Sequence, residues 1–362
     1  TDVGRLDHVE FCVSPESIPR AGHWSNYPMT VASRVAQNFP GALRGADIAF
    51  ISDLPAAAGL SSSSALLIAI FSVLNRINAF DQRDEYRQEI DGREELAGYL
   101  GTIENGQSFG SLAGGKGVGT FGGSQDHTAI LCCGPGELRQ YSFCPVNHER
   151  SITLPGDYAF VIGVSGVSAD KTGEALAKYN RVSVLAAEAL AIWRSATGRG
   201  DETLMKAATS SADAPERMRE ALRASRSSTF SPQELLNRFE QFVIECIEII
   251  PSVAQALAVG DVEKIGVLID RSQDGAERLL GNQVPETIAL ARLGRDLGAV
   301  GASAFGAGFG GSVWAMVKTD RAKDFASEWA GRYRSRFKIP QDHSAFFSTR
   351  AGPSMIEFSD RS

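Results

Sequence analysis

The stretch LPAAAGLSSSSALLIAI, residues 54–70, places four consecutive serines between a glycine turn and an apolar run. The preceding segment ADIAFISDLP (46–55) alternates apolar and polar residues and ends at a proline, which predicts a strand. The following segment SALLIAIFSVLNRINAF (64–80) has the composition and length of a helix that opens on a serine. The pattern therefore predicts a strand, a glycine turn and a helix in that order.

This turn has two interpretations, which the pattern alone weights about equally. In the first, a serine caps the helix within an ordinary loop. In the second, the loop binds a phosphate, because Gly59 permits positive φ and a close backbone approach. The N–H groups and the positive dipole end of the helix would then favour an anion, and the serine hydroxyls can donate to phosphate oxygens or bind Mg²⁺.

Two common nucleotide-binding motifs do not fit the chain. The serine stretch lacks the lysine of the G-x-x-x-x-G-K-[ST] loop. A second glycine-rich stretch, GAGFGG (306–311), resembles G-x-G-x-x-G, but the predicted strand SVWAMVK (312–318) follows it where a dinucleotide-binding turn requires a helix. This order disfavours NAD binding and leaves a hairpin turn as the alternative for 306–311.

Composition excludes several classes of protein. The chain has 362 residues, 43% apolar and 22% charged, with a net charge of −7, which favours a folded two-domain protein and disfavours nucleic-acid binding. We find no secretion signal and no long uncharged apolar run. The five cysteines form no C-x-x-C pair, which disfavours zinc. We expect a cytoplasmic monomer or weak homodimer with no membrane partner.

The remaining pattern predicts an α+β fold. Strands are predicted at DHTAILCCG (126–134), paired with GELRQYSF (136–143), and at DYAFVIGV (157–164). Helices are predicted at 93–105, 172–196, 231–260 with a break at Pro251, and 284–298. The glycine-rich stretch 106–123 is predicted to be either disordered or a flexible flap near a ligand. We place the domain boundary at 152/153, which gives domains of residues 1–152 and 153–362.

An ordered set of motifs resembles the GHMP small-molecule kinases, and in particular their galactokinase-like branch. DLPAAAGLSSSSAL resembles the second family motif, P-x-x-x-G-L-S-S-S-A in that branch, and GAGFGGSVWAMV resembles the third. HWSNY (23–27) is similar to W-x-N-Y, and IENGQSFG followed by GGSQDHTAI is similar to A-E-x-x-x-x-G and G-x-x-D-Q. VSGVSADKTGEALAKYNRV (164–182) is similar to the N-S-x-V-x-H stretch that ends in E-Y-N-x-R.

This resemblance implies phosphoryl transfer from ATP, with Mg²⁺, to a hydroxyl of a sugar or sugar acid, at its anomeric position. The implied fold has an N-terminal α+β domain like domain 2 of ribosomal protein S5 and a C-terminal ferredoxin-like α+β domain, with the active site in the cleft between them. Two alternative functions stay open. The protein could be a kinase of the superfamily that acts on a non-sugar acceptor, such as mevalonate or homoserine, or it could be a catalytically silent sugar sensor.

The resemblance also implies roles for the donor side of the site. The triphosphate would be bound by the loop residues Pro55, Gly59, Leu60, Ser61, Ser62, Ser63 and Ser64. Mg²⁺ would be bound by Ser62 or Ser63 together with Glu104. Trp24 would lie on the side of the nucleotide base, with core packing as its alternative role.

On the acceptor side, Asp126 would face the acceptor hydroxyl, either as a base or only to orient it. Gly123 matches the family spacing before this carboxylate, and Tyr179 matches a tyrosine near the sugar, with core packing as its alternative. His127 is a weaker alternative base. The floor of the site would be shaped by Gly306, Gly308, Gly310 and Gly311.

The chain also departs from the family pattern. The first motif, G-R-V-N-L-I-G-E-H-x-D-Y, which grips the sugar, is not in this chain, and we expect the natural protein to carry a further N-terminal portion. Ser64 stands where alanine is usual, His127 where glutamine is usual, and Ser312 where cysteine is frequent. A segment from Ser272 also differs from the galactokinase pattern. For a sugar acid, the candidate cations are Lys116, Lys171 and Lys178.

Overall fold

The structure, a computed structural model, describes residues 1–20, 22–55, 57–169 and 173–358, so Lys171 lies outside the described residues. The helices are α1 Asn26–Asn38, α2 Ser62–Asn78, α3 Asp84–Arg87, α4 Arg93–Asn105, α5 Gln125–Cys132, α6 Gly173–Thr197, α7 Leu204–Ala208, α8 Ala214–Arg223, α9 Pro232–Val243, α10 Ile250–Val259, α11 Val262–Gly275, α12 Pro285–Asp296 and α13 Ala322–Phe337. The strands are β1 Glu137–Ser142, β2 Asn147–Thr153, β3 Tyr158–Val164, β4 Gly301–Ala304, β5 Ser312–Lys318 and β6 Phe346–Thr349.

The first core is helical and lies between α1, α2, α4 and α5. Phe39 directly after α1, Phe71 of α2 and Tyr99 of α4 are fully buried at its centre, and the Phe39 and Phe71 rings each contact the Tyr99 ring edge-on. The Tyr99 hydroxyl donates to Asn38 Oδ1 at 3.0 Å, so the one polar atom of this ring is satisfied. Burial of these aromatic faces holds α2, and with it the serine stretch, against α4.

The strand predicted at 46–55 does not form. This segment is extended, but its backbone pairs only around Phe50, whose N–H donates to the Thr1 carbonyl at 3.1 Å and whose carbonyl accepts from Val3 N–H at 2.9 Å. A segment with an alternating pattern becomes part of a β-sheet only when a second strand lies beside it. Among the described residues, only residues 1–3 pair with this segment. The prediction was right about the extended backbone and wrong about the strand.

The strand predicted at 126–134 is also wrong, because these residues form α5. Its buried residues are His127, Thr128, Leu131 and Cys132, a spacing of one helical turn that short apolar runs do not distinguish from a strand. Burial raises the pKa of the Cys132 thiol to about 11, which keeps it protonated as a packed apolar group. The predicted partner strand is present as β1, but it pairs with β2 instead.

The second core lies under a four-stranded antiparallel sheet in the order β4-β5-β3-β6, covered by α12 and α13. Strands β3 and β5, both predicted, form its centre and pair in register from Tyr158 with Lys318 to Val164 with Ser312. The Trp329 indole of α13 is fully buried and donates to the Leu290 carbonyl of α12 at 3.1 Å. This register brings Ser312, the first residue after GAGFGG, beside the end of β3.

The middle of the chain, α6 to α11, is helical as predicted, except that Pro251 does not break its helix. A π-helical turn, Ile244–Ile249, precedes the proline, and the helix continues to Val259. The wider turn accommodates a residue that lacks an N–H and would otherwise crowd the preceding turn.

By length and composition, the run Pro232–Val259 is the one described helix apolar enough to cross a membrane. Two of its four acidic residues contact α11: the Ser272 hydroxyl donates to the Glu245 carboxylate, with its oxygen 3.0 and 2.8 Å from the two carboxylate oxygens, and Glu248 pairs with Arg271 at 2.9 Å. Those contacts are polar and directed at a neighbouring helix, as expected for a helix packed within the protein.

The glycine-rich stretch 106–123 has a defined path along α1 and α4 and is not disordered, whereas its role as a flap near a ligand stays a prediction. Side chains of α1 hold its carbonyl groups: Asn26 Nδ2 donates to Val118 at 3.0 Å, and Asn38 Nδ2 donates to Ala113 at 3.0 Å. The Val118 N–H donates to the Glu104 carbonyl at the end of α4. Glycines here permit the chain to pass close to α4, since a Cβ on Gly117 would lie 2.7 Å from that same carbonyl oxygen.

Candidate active site

The two glycine-containing loops predicted from sequence lie against each other. We call residues 57–64 the serine loop and residues 305–311 the glycine loop. The Ser312 hydroxyl donates to the Ala58 carbonyl at 2.7 Å, and both groups are buried. A Cβ on Gly311 would lie 2.9 Å from the same Ala58 oxygen, so the contact requires a glycine. Residues 254 positions apart therefore form one surface.

The serine loop opens α2 without a serine cap. Ser61, in the N-cap position, has a left-handed backbone with φ of 59° and makes no side-chain capping hydrogen bond. Gly59 also has positive φ, at 70°. The capping interpretation of the sequence is therefore wrong, and the hydroxyls are not used to satisfy the helix end. Ser62 is exposed and Ser63 half-buried, at the positive end of the helix dipole.

Glu104, near the end of α4, is the centre of a buried polar cluster, with a residue exposure of 6%. The Ser64 hydroxyl donates to Glu104 Oε2 at 3.2 Å, and the Thr120 hydroxyl donates to Oε1 at 3.4 Å. His127 Nε2 lies 3.5 Å from Oε2. A buried carboxylate is costly unless it is hydrogen-bonded or paired, and these groups supply that compensation.

The cluster joins three helices at the places where predicted site residues lie. Ser64 is in the first turn of α2, directly after Ser62 and Ser63, and His127 follows Asp126 in the first turn of α5. The helices α4 and α5 approach closely there: a Cβ on Gly101 of α4 would lie only 2.8 Å from the Cβ of Ser124, the residue before α5. The predicted metal and acceptor residues, Glu104 and Asp126, are thus placed on adjoining helix ends.

Asp126 is half-buried, and two glycines precede it in a loop that receives two aromatic side chains. A Cβ on Gly122 would lie 2.5 Å from the Tyr179 hydroxyl oxygen, and one on Gly123 would lie 2.9 Å from the ring of Phe143. Absence of side chains at these positions lets Tyr179 of α6 and Phe143 of the β1–β2 turn come within contact of the loop. Tyr179 therefore lies against the loop that precedes Asp126, and its approach to a sugar stays a prediction.

Helix α6 holds this loop through a residue that the sequence did not single out. Asn180 Nδ2 donates to the Gly119 carbonyl at 2.8 Å, and its Oδ1 accepts from the Phe121 N–H at 2.9 Å. The Ser183 hydroxyl donates to the Phe121 carbonyl at 2.7 Å. The match to E-Y-N-x-R drew attention to the tyrosine, but the neighbouring asparagine makes the backbone contacts that locate the loop.

Asn282 performs a similar task for the glycine loop. Its side-chain Nδ2 donates to the Ala307 carbonyl at 2.9 Å, and its backbone carbonyl accepts from the Phe309 N–H at 2.5 Å. Gly308 has φ of 75°, and a Cβ there would lie 2.2 Å from the Asn282 carbonyl oxygen. The structure therefore explains Gly308 by a contact within the protein, whereas Gly306 has free space around it.

The remaining sequence candidates lie at the margins. The Trp24 indole N–H donates to Asp7 Oδ2 at 2.5 Å and the ring packs edge-on against Phe50, with centroids 5.4 Å apart. This hydrogen bond holds the pKa of Asp7 below its usual value. The described contacts give Trp24 a structural role, and its approach to a nucleotide base stays a prediction. Lys116 and Lys178 are exposed.

Comparisons with known proteins identify relatives of this chain. The family model for the GHMP kinases N terminal domain matches residues 26–132, and that for the GHMP kinases C terminal matches residues 253–335. Galactokinase from Chloroflexus aggregans is 29% identical over 324 residues, covering 86% of this chain and 71% of the relative. Galactokinase from Chloroflexus aurantiacus is 29% identical over 325 residues, with the same coverage.

A solved structure is similar over nearly the whole chain. Lactococcus lactis galactokinase, crystallised with galactose, superposes with a TM-score of 0.74 at 21% identity, over 98% of this chain and 82% of its own. That likeness confirms the expected two-domain fold of mixed helix and sheet. Together with the two matched domains, it shows that the chain belongs to the GHMP kinase family, in its galactokinase-like branch.

Proposed function

We propose that this protein is an ATP- and Mg²⁺-dependent kinase that phosphorylates a monosaccharide or sugar acid at its anomeric hydroxyl. One observation carries the proposal: the buried Ser64–Glu104–His127 contacts bring the serine loop and the Asp126 helix end together. The two relatives described above are galactokinases, which supports a sugar as the acceptor. We further propose a domain boundary at 152/153, a cytoplasmic location and a monomer or weak homodimer.

The serine loop would bind the triphosphate. Positive φ at Gly59 and Ser61 bends the backbone into the start of α2, where the first N–H groups of a helix have no partner within it. Pro55, Leu60, Ser62 and Ser63 lie along the same short segment, and Ser62 and Ser63 keep exposed or half-exposed hydroxyl-bearing side chains. Amide and hydroxyl donors at the positive end of a helix dipole suit phosphate oxygens.

The donor set also fits magnesium. Ser62 or Ser63 and the Glu104 carboxylate would hold the ion, which prefers oxygen ligands, takes few from the protein and keeps phosphate oxygens and waters. When bound, the ion would neutralise charge on the transferred phosphoryl group.

On the acceptor side, Asp126 would orient the sugar hydroxyl and accept its proton. A loose phosphoryl-transfer transition state demands little prior deprotonation, so orientation supplies most of the effect of this residue. Gly123 admits the Phe143 ring to the loop that precedes the carboxylate, and the Tyr179 hydroxyl, which lies against Gly122, would donate to the sugar. The glycine loop would form the floor, with Gly308 shaped by Asn282.

The test is an isosteric substitution combined with an acceptor screen. Asp126→Asn should lower phosphoryl transfer about 10²- to 10⁴-fold while ATP-analogue affinity stays unchanged, because the amide keeps the shape but loses the negative charge that orients the hydroxyl and accepts its proton. The matched control is Asp324→Asn, an exposed aspartate in the first turn of α13. Normal turnover by Asp126→Asn would contradict the role of this carboxylate.

The acceptor screen would measure ATP consumption by the wild-type protein with galactose, galacturonate, glucuronate, arabinose and non-sugar alcohols. Transfer to a sugar or sugar acid is the expected result. Transfer only to a non-sugar alcohol would assign the protein to another acceptor class of the family. Sugar binding without transfer to any of them would instead indicate a sugar sensor and refute the kinase proposal.

A further inference from the structure

Two of the residues that depart from the family pattern meet at one atom. Ser64, where alanine is usual, donates to Glu104 Oε2 at 3.2 Å, and His127, where glutamine is usual, places Nε2 3.5 Å from that same oxygen. The two residues are 63 positions apart in sequence and belong to different helices. We propose that Ser64 and His127 are a matched pair of positioning residues, which together set the orientation of the Glu104 carboxylate towards the metal ion.

This inference rests on the proposed function, since Glu104 has a metal role only in a kinase of this kind. Its physical basis is burial. Ser64 is 1% exposed, Glu104 6% and His127 0%, so solvent does not compete for the carboxylate. In such surroundings the direction of a carboxylate is decided by the donors packed around it, and those donors tune the affinity of a bound metal.

The geometry makes the two contacts interdependent. Both groups act on Oε2, whereas Thr120 Oγ1 contacts Oε1 at 3.4 Å. Removing either the Ser64 hydrogen bond or the His127 contact lets the carboxylate turn towards the group that is left, which then holds it in a changed direction. When both side chains are replaced, neither contact turns the carboxylate to one side. The loss in the double variant should therefore be smaller than the product of the two single losses, as expected for residues that share a partner.

The pair also links the two halves of the site. Ser64 follows the serines that would bind phosphate and metal, and His127 follows Asp126 at the start of α5. A carboxylate held from both sides fixes the spacing between the ends of α2 and α5. Alanine in place of Ser64 has no hydroxyl to donate to Glu104, so that single change leaves Oε2 with the His127 contact only.

The experiment is a double-mutant cycle on Mn²⁺ binding, with Ser64→Ala, His127→Gln and both together. Free Mn²⁺ would be followed by electron paramagnetic resonance with a non-hydrolysable ATP analogue bound, so no turnover is involved. Each single variant should bind Mn²⁺ about 10- to 100-fold more weakly, the usual range when a partner of a metal ligand is removed. The double variant should bind no more weakly than the weaker single variant.

The control on the same helix is Ser72→Ala, whose hydroxyl contacts the Met355 sulfur at 3.7 Å and should leave Mn²⁺ affinity unchanged. Thermal melting of every variant reports folding. If His127→Gln does not fold, Ser64→Ala decides alone: weaker Mn²⁺ binding with unchanged metal-free analogue affinity supports the positioning role, and unchanged Mn²⁺ binding overturns it.

Losses that multiply in the double variant would show independent residues and overturn the matched pair. Unchanged Mn²⁺ affinity in both single variants would overturn the positioning role itself. Because the cycle measures binding and the acceptor screen measures transfer, a failure of this inference is distinguishable from a failure of the proposed kinase activity.

Discussion

Gly311→Ala tests whether the contact between the serine loop and the glycine loop holds the site together. Gly311 has φ of 82°, and a Cβ there would lie 2.9 Å from the Ala58 carbonyl oxygen, 3.1 Å from its carbon and 3.3 Å from Ala169 Cβ. The obstructing atoms are mostly backbone, so no side-chain rotation relieves the overlap. The serine loop must move, and the Ser312–Ala58 hydrogen bond of 2.7 Å must lengthen or break.

The expected loss in the free energy of unfolding has two parts. A left-handed backbone costs a non-glycine residue about 1–2 kcal/mol. Overpacking in a closely packed place costs about 1–3 kcal/mol more. Gly306→Ala is the matched control, because Gly306 lies in the same loop with φ of 56° and has nothing within 4 Å of an added Cβ. The loss in the free energy of unfolding of Gly306→Ala should therefore consist of the backbone cost alone.

Urea unfolding, followed by tryptophan fluorescence, would measure both variants, and ATP affinity would be measured beside it. We expect Gly311→Ala to be about 1–3 kcal/mol less stable than Gly306→Ala, and to bind ATP at least tenfold more weakly, because the displaced segment leads into the phosphate-binding serines. Equal stability and equal ATP affinity in the two variants would refute the reasoning that the loop contact positions the serine loop.

Two further predictions concern the helices that support the site. Asn180→Ala should free the Gly119 carbonyl and the Phe121 N–H, and hydrogen exchange at residues 118–123 should become faster while exchange in α6 stays unchanged; unaltered exchange in the loop would contradict its anchoring role. Glu234 accepts from Ser231 in the capping box of α9, a contact that lowers the pKa of its carboxyl to about 2 from an ordinary value of 4.5. Because the folded-state pKa is lowered, the stabilisation is complete above about pH 4.5 and is lost as the pH falls towards 2, so Glu234→Gln should cost about 1 kcal/mol at pH 7 and little at pH 2. Melting curves over this range would test it, and a pH-independent difference would contradict it.

Much of the secondary structure followed from local pattern. Long periodic segments such as α2 and α6, and strands rich in β-branched and aromatic residues such as β3 and β5, were predicted with their type correct. Failures came from short segments. Residues 126–134 have an apolar content that suits either a strand or a buried helix, and residues 46–55 have a strand pattern with almost no partner to pair with. In both cases the outcome depends on neighbours distant in sequence.

The candidate site was predictable in part. The motifs pointed to Asp126, Glu104 and the serines as candidates because each belongs to a short segment with distinctive residue spacing. Thr120, Asn180 and Asn282 were missed, since an ordinary polar residue in a sequence carries no sign of the backbone group it will meet. Only their hydrogen bonds to loops far along the chain show that they position the site.

The sequence by itself determined the family, the two glycine-containing loops and the residue types available for phosphate, metal and acceptor, because these are properties of short segments in a fixed order. The tertiary structure alone decided that Ser64 turns inward to Glu104 while Ser62 stays exposed, and that His127 meets the same carboxylate oxygen. The physical reason is that the packing of α2, α4 and α5 around one buried core sets which side of each helix end faces Glu104. Four serines in a row are alike in sequence, and helix rotation makes them different.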